Sequence, residues 1–381
     1  MAKINQLFFC VFCFLQWSCA QSTFQLGAEQ TAVYFPLLND KSVAVVGNQS
    51  SLIASTHLVD SLLSSGIEVV KVFSPEHGFR GTADAGAHIE NGVDERTGLP
   101  IVSLYGSNKK PKAEQLEGID VIVFDIQDVG ARFYTYISTL HYVMEAAAEH
   151  AIPLIVLDRP NPNGHYIDGP LLDTNYRTFV GMHPIPIVHG MTIGEYAQMI
   201  NGQKWLNDHL VCDLTVVQMT AYNRNIPYDL PVKPSPNLPN AQAVNLYPSL
   251  CLFEGTTVSV GRGTDLPFQH YGAPYLNSDY FFVPKSGAGA KYPKHEGLKC
   301  YGKDLSQFAT LSQLDLSFLI DVYNECPEKE NFFNAFFDKL SGGNTLRMSI
   351  IEGKSEDEIR MSWTKDLNNF QQIRSAYPIY E

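Results

Sequence analysis

The stretch that decides the fold runs from residue 67 to residue 86, IEVVKVFSPEHGFRGTADAG. An apolar run patterned as a buried strand gives way to Pro75-Glu76-His77-Gly78. In open α/β sheets ligands bind beyond the carboxyl ends of the strands, so a carboxylate and an imidazole at this point face a site. The construction recurs in IDVIVFDIQDVGARFYTY (119–136) and AIPLIVLDRPNPNG (151–164), each an apolar run leading into a loop dense in polar groups. Three strands that deliver such groups to one rim predict an active site there.

Working outward, strand-like runs at 42–47, 67–73, 119–125, 152–157 and 213–219 alternate with helix-like segments near 55–65, 135–150 and 192–201. Nearly all-apolar strands between amphipathic helices predict an α/β, Rossmann-like, mostly parallel sheet covered on both faces. The loop after the first strand reads Gly47-Asn48-Gln49-Ser50-Ser51, without the G-x-G-x-x-G fingerprint, so no nucleotide cofactor is expected. From 226 to 277 the proline-rich IPYDLPVKPSPNLPN and the glycine- and threonine-rich LFEGTTVSVGRGTDLPF predict an irregular, functional segment. Helix-like stretches at 315–325, 330–340 and 356–375 then place a smaller α+β auxiliary domain at 278–381, beside a main domain at 21–277.

With 381 residues, 45% of them hydrophobic and 18% charged, the chain can bury a large core. A net charge of −13 argues against a nucleic-acid partner, because binding a phosphate backbone needs a basic face. Residues 1–20 read as an export signal, with Lys3 before a short apolar run and the small-x-small pattern of Ser18-Cys19-Ala20. Export to the periplasm or the medium is the expectation. The alternative is a lipoprotein anchored through Cys19, the one route by which this reading reaches a membrane; against it, Gln16 stands where a lipobox carries an aliphatic residue. Of the cysteines beyond the signal, Cys300 and Cys326 are the expected pair if a disulfide forms.

Glu76 is the expected catalytic acid, with His77 as its acid/base or orienting partner; the plainer reading pairs Glu76 with Arg80. Gln127, Asp128, Arg132 and Tyr134 share one strand-to-helix loop with Asp125 and Tyr136, a mixture of carboxylate, amide and aromatic ring suited to sugar hydroxyls and C–H faces. Helix capping and core burial would account for the same residues. Arg159, Asn161, Asn163 and Asp168 lie in RPNPNGHYIDGP, and Asn237, Glu254 and Arg262 in the irregular segment. A metal hydrolase would have His57, His77, Asp84, His88, Asp125 and Asp128 to draw on, but their spacing puts no ligand set on one face, and no metal is expected.

Together, FSPEHGFRG, DVIVFDIQDVGARFYTYISTL, VLDRPNPNG, HGMTIGEYA, PSPNLPN and LFEGTTVSVGRGTDLPF resemble the bacterial exo-β-N-acetylmuramidases of the NamZ type, from about residue 42 to the C-terminus. The resemblance implies an active site in the cleft between the Rossmann-like and auxiliary domains, and release of β-1,4-linked N-acetylmuramic acid from the non-reducing ends of peptidoglycan fragments. Muramyl saccharides would be its partners and no cofactor would be needed. The resemblance makes Glu76 the catalytic residue and Asn48, His77, Arg80, Gln127, Asp128, Arg132, Tyr134, Arg159, Asn161, Asn237, Glu254 and Arg262 the lining. One departure is Ser51, where the family's first loop has glycine. Because muramic acid carries a lactyl carboxylate, one of Arg80, Arg132, Arg159 and Arg262 should read it, with Arg80 or Arg132 foremost. The competing readings are a non-catalytic surface glycan-binding protein and a carbohydrate esterase or deacetylase.

Overall fold

The computed structural model describes residues 24–80 and 91–380; the export segment, Asp84 and His88 lie outside the described residues. The strands of the first half are β1 (Val43–Gly47), β2 (Leu52–Ile53), β3 (Thr56–His57), β4 (Val69–Ser74), β5 (Gly92–Val93), β6 (Pro100–Ser103), β7 (Val121–Asp125), β8 (Leu154–Leu157) and β9 (Leu214–Val217). All but β2 and β3 form one sheet in the order β5-β6-β4-β1-β7-β8-β9, parallel except for β5. In chain order its parallel strands read 3-2-1-4-5-6, the doubly wound arrangement, with the topological switch between β1 and β7. The expected Rossmann-like sheet is therefore present, and β6, which the apolar pattern did not reveal, completes it.

Alternate residues of each strand serve opposite cores. Ala44, Val46, Phe73, Ile122, Phe124, Leu154 and Val156 point into one, while Val43, Val45, Val72, Val121, Val123, Ile155 and Leu157 point into the other. Both faces are covered, so the strands read as continuous apolar runs rather than alternating ones. The smaller core is roofed by the helices Thr31–Leu38 and Leu58–Ser64. The larger takes in the helices Tyr136–Glu149 and Ile193–Gly202 and continues without interruption into those of the C-terminal region.

That region holds β10 (His270–Ala273), β11 (Phe281–Phe282) and β12 (Cys300–Asp304), an antiparallel sheet in the order β10-β12-β11 that straddles residue 277. Helices follow at Ser317–Glu325, Phe337–Ser341, Thr345–Ile351 and Glu356–Arg374. Two expectations need correction. The segment 226–277 is not irregular throughout, because Asn240 caps a helix at Ala241–Leu250 by accepting from the Ala243 amide at 2.9 Å. Cys300 and Cys326 are not bridged: both are buried free thiols, in a core large enough to need no covalent staple.

Burial leaves several imidazoles neutral. It pushes His57, His141 and His183 below the ordinary histidine range, His189 down to about 3 and His270 down to about 4. It also pushes the carboxyls of Asp128 and Asp158 up, to about 7 and about 6. As pH falls from about 6.5 towards 4 the unfolded chain takes up protons on its histidines that the folded chain refuses, so stability is lost; the two raised carboxyls act in the opposite sense over that window. Five imidazoles outweigh two carboxyls. We predict a folding free energy lower at pH 5 than at pH 7 by at least about 1 kcal/mol, the worth of one pKa unit on one group. Urea midpoints at the two pH values check this, and an unchanged or higher midpoint at pH 5 contradicts it.

Candidate active site

At the carboxyl end of β4 the chain makes a sharp turn, with His77 at φ +72° and Gly78 at φ +80° and the Gly78 amide donating to the Pro75 carbonyl at 3.2 Å. A left-handed histidine is uncommon and here it is buried, so the turn is fixed by its surroundings and sets the direction of Glu76. The half-buried Glu76 carboxylate accepts from the Thr135 hydroxyl at 3.4 Å and is hydrogen-bonded to the Tyr105 phenol, while the Tyr136 hydroxyl approaches its carbonyl at 3.5 Å. Burial and the neighbouring carboxylate raise the Tyr105 phenol well above its usual range, which keeps it a hydrogen-bond donor.

Glu76 stands at the junction of two spaces. One is a cleft of about 460 Å³, walled by Glu254, Ser259, Arg262 and the segment 289–294. The other is a recess of about 70 Å³, lined by His77, Tyr134, Tyr136, Asn237, Tyr247 and Phe268. Arg262 also borders both. Its Nε donates to Glu254 Oε1 at 2.5 Å, its guanidinium lies 5.1 Å from the centre of the Phe268 ring, and among the described residues neither Nη makes a hydrogen bond. Lys294, lowered to about 8 chiefly by burial, donates its three N–H bonds to the carbonyls of Phe253, Thr256 and Val258 and so fixes the loop carrying Glu254.

Of the residues expected from sequence, Glu76, His77, Tyr134, Asn237, Glu254 and Arg262 line this space. The others hold the rim together. Asn48 accepts from the Ser50 amide and hydroxyl at 2.9 and 2.6 Å; Gln127 donates to the carbonyls of Asp128 and Pro160, both at 2.7 Å; Asp128 accepts from the Gly130 amide at 2.7 Å. Asn161 donates to the Met191 carbonyl at 2.8 Å and accepts from the Asn163 amide at 2.8 Å, and Asp168 is paired with Arg360 at 2.6 Å. Ser51 uses its hydroxyl to join the Asn48 amide to the Asp125 carbonyl across the switch point, which accounts for a side chain where glycine was expected.

The arginines require the main correction. Arg132 is fully buried and donates to the carbonyls of Pro170, Ile185 and Leu340 at 2.7–2.9 Å, so it joins the rim loops to the C-terminal helices and does not face the cleft. Arg159 grips Asp125 through two bonds of 2.6 and 2.9 Å. Arg80 is forked onto Asp94 at 3.1 and 2.7 Å, with Asp60 at 3.5 Å, and its partner is therefore not Glu76. Of the four, Arg262 alone lines the cleft. Two of the candidate metal ligands are likewise committed, His57 to the Asn48 carbonyl at 2.9 Å and Asp125 to Arg159. Among the described residues no three His, Cys, Asp or Glu side chains gather as ligands.

Sequence reasoning missed Tyr105 and the wall at 289–294. Tyr105 follows β6, and reading PIVSLYG as a strand would have put it at the rim by the strand-end rule. The wall carries Lys291 and Lys294 in a turn-rich stretch of a strongly acidic chain, a signal that was available.

Residues 43–242 match the family model described as the N-terminal part of exo-beta-N-acetylmuramidase NamZ, and residues 245–380 match the model of its C-terminal part. The chain belongs to the NamZ family. The NamZ protein of Bacillus subtilis, a peptidoglycan beta-N-acetylmuramidase, is 39% identical over 90% of both chains. Crystal structures of two DUF1343 family proteins from Bacteroides fragilis share the fold, at TM-scores of 0.88 and 0.81 and identities of 45% and 30%, each covering 94% of this chain and 99% of the other. In NamZ terms the N-terminal match contributes Glu76, His77, Tyr134 and Asn237 to the cleft, and the C-terminal match contributes Glu254 and Arg262.

Because Arg132 serves backbone carbonyls, its replacement is predicted to act on stability. Arg132→Met should cost about 1–3 kcal/mol, since the Pro170 and Leu340 carbonyls lose their donor while Ile185 keeps the Leu172 amide. Chemical denaturation measures this, and a variant as stable as the parent would contradict the assignment.

Proposed function

We propose that the protein is an exo-acting glycoside hydrolase that releases β-1,4-linked N-acetylmuramic acid from the non-reducing ends of peptidoglycan fragments, in cell-wall turnover or recycling. The observation that carries this reading is the meeting of Glu76 and Arg262, which line both the cleft and the aromatic recess beside it. Glu76 is the carboxyl group at the junction and so the candidate proton donor, and a guanidinium held at Nε by Glu254, with neither Nη hydrogen-bonded among the described residues, is available for bidentate contact with a carboxylate. The exo mode of action follows the family models, whose descriptions name an exo-beta-N-acetylmuramidase. The names and identities of the NamZ relatives support the same chemistry.

In the proposed reaction Glu76 gives its proton to the leaving oxygen as the glycosidic C1–O bond breaks, and water bonds to C1 through its oxygen and gives up a proton, so that over the whole turnover Glu76 is reprotonated. Glu254 positions Arg262, which takes the lactyl carboxylate. Buried Tyr134 and Tyr136 give the recess apolar walls, their hydroxyls engaged by the Pro234 carbonyl at 2.7 and 3.4 Å. A cell-wall substrate agrees with the export signal read at residues 1–20, so we place the enzyme in the periplasm or medium, or on a membrane through Cys19 if that residue is lipidated.

Two substitutions test the roles. Glu76→Gln keeps the shape and removes the transferable proton, so kcat on an N-acetylmuramyl-N-acetylglucosamine disaccharide should fall by about 10²–10⁴, with a much smaller fall on a nitrophenyl muramide whose leaving group needs little protonation. Equal losses on both would assign Glu76 another role, and a fully active variant would remove it from the chemistry. Wild-type protein that binds muramides without cleaving them would favour the glycan-binding alternative. Arg262→Ala should lower kcat/KM on muramyl substrates by about 10- to 100-fold, as expected for a lost hydrogen bond to a charged group, and leave the corresponding glucosamine glycoside little changed. Unaltered discrimination between the two sugars would overturn the carboxylate-reading role.

A further inference from the structure

The segment 284–297 forms a compact loop with tied ends, the Gly297 amide donating to the Pro284 carbonyl at 2.9 Å. Inside it Gly287 and Ala290 exchange backbone hydrogen bonds at 3.0 and 3.2 Å, and the Ser286 hydroxyl donates to the Lys291 carbonyl at 2.7 Å. The loop is also tied to both walls of the site. Asn237 donates to the Gly289 carbonyl at 2.7 Å, the Lys285 amide donates to the Gly263 carbonyl at 2.9 Å, and Lys294 and His295 bond the backbone of 253–258. A loop fastened at so many points presents its side chains from a fixed frame.

On that frame Tyr292 is 83% exposed while lining the cleft that contains Glu76. A single exposed aromatic residue is ordinary on a protein surface. Here the ring stands on the outer side of the catalytic carboxyl: the recess is walled by other residues, and 289–294 borders the open cleft alone. With the terminal sugar on the recess side of Glu76 and Arg262, the rest of the chain passes over this wall. The Lys291 ammonium, 5.5 Å from the centre of the Tyr292 ring, adds positive potential where an acidic glycan would pass an acidic protein.

We propose that Tyr292 is the platform for the sugar on the leaving-group side of the scissile bond, an N-acetylglucosamine-type ring whose apolar C–H face packs on the phenol ring. This rests on the hydrolase reading above. The role needs a flat ring and not a hydroxyl, because pyranose C–H groups meet an aromatic face through dispersion and the ring quadrupole. Since the side chain is mostly in water, its removal should leave the fold intact.

The test compares two substrates with alkyl leaving groups, the N-acetylmuramyl-N-acetylglucosamine disaccharide and methyl N-acetyl-β-muramide, which has no second ring. Tyr292→Ala should lower kcat/KM on the disaccharide by about 3- to 10-fold, the scale of one aromatic contact, and leave the methyl glycoside unchanged. Tyr292→Phe should retain wild-type values on both. Equal losses on the two substrates would place the ring against the terminal sugar and overturn the proposal, as would no loss on either. Wild-type protein that cleaves neither substrate overturns the hydrolase reading and this proposal with it, whereas cleavage of both with equal losses in the variant overturns this proposal alone.

Discussion

A parallel sheet buried on both faces can offer polar groups to a ligand at its ends, and the rest of this molecule is arranged around that constraint. Residues 43–47 and 121–125 are wholly buried, so no side chain of the two central strands reaches solvent from a sheet face. The chain opens up where those strands stop. At the switch point between them the β1 and β7 loops diverge, and Asn48, Ser50, Ser51 and Gln127 knit the divergence together through short hydrogen bonds. Such a floor is polar and largely engaged, the Asn48 side-chain nitrogen being buried without a hydrogen-bond partner among the described residues. These bonds give the site rigidity.

The division of labour among the arginines follows from the same geometry. A guanidinium drawn into a low-dielectric interior has to be paired or hydrogen-bonded, and Arg132 and Arg159 meet that requirement with backbone carbonyls and with Asp125. Arg262 is held differently. Glu254 engages Nε, and among the described residues neither amino group makes a hydrogen bond, so the ion pair orients the side chain without exhausting it. In a chain of net charge −13 this is how a small positive site can persist, by commitment of the neighbouring acid to orienting the base.

The C-terminal region matters to the site through attachment more than through a core of its own. Its helices share one apolar cluster with the sheet face, and Lys294, His295 and Asn237 fasten the outer wall to loops on both sides. Contacts between residues 237 and 289, or 132 and 340, tie the wall at 289–294 and the C-terminal helices to the loops around Glu76. Precision of that kind is what a hydrolytic site needs from its scaffold.

The sequence by itself determined the layered architecture, since continuous apolar runs and helical periods are local consequences of burial on two faces or one. It also located the rim and Glu76, because the polar groups that end a strand are adjacent in the chain. The tertiary structure decided which of the polar rim residues face the cleft. Arg80, Arg132, Arg159 and Arg262 are alike as letters, each in a glycine- or proline-marked loop, yet their roles depend on acceptors that lie from 8 to 208 residues away. The Cys300–Cys326 expectation and the missed wall at 289–294 failed for the same reason. Local pattern reports how a segment buries its own side chains, whereas a side chain's use is set by the distant groups that satisfy its charge, and those distances exist only once the chain has folded.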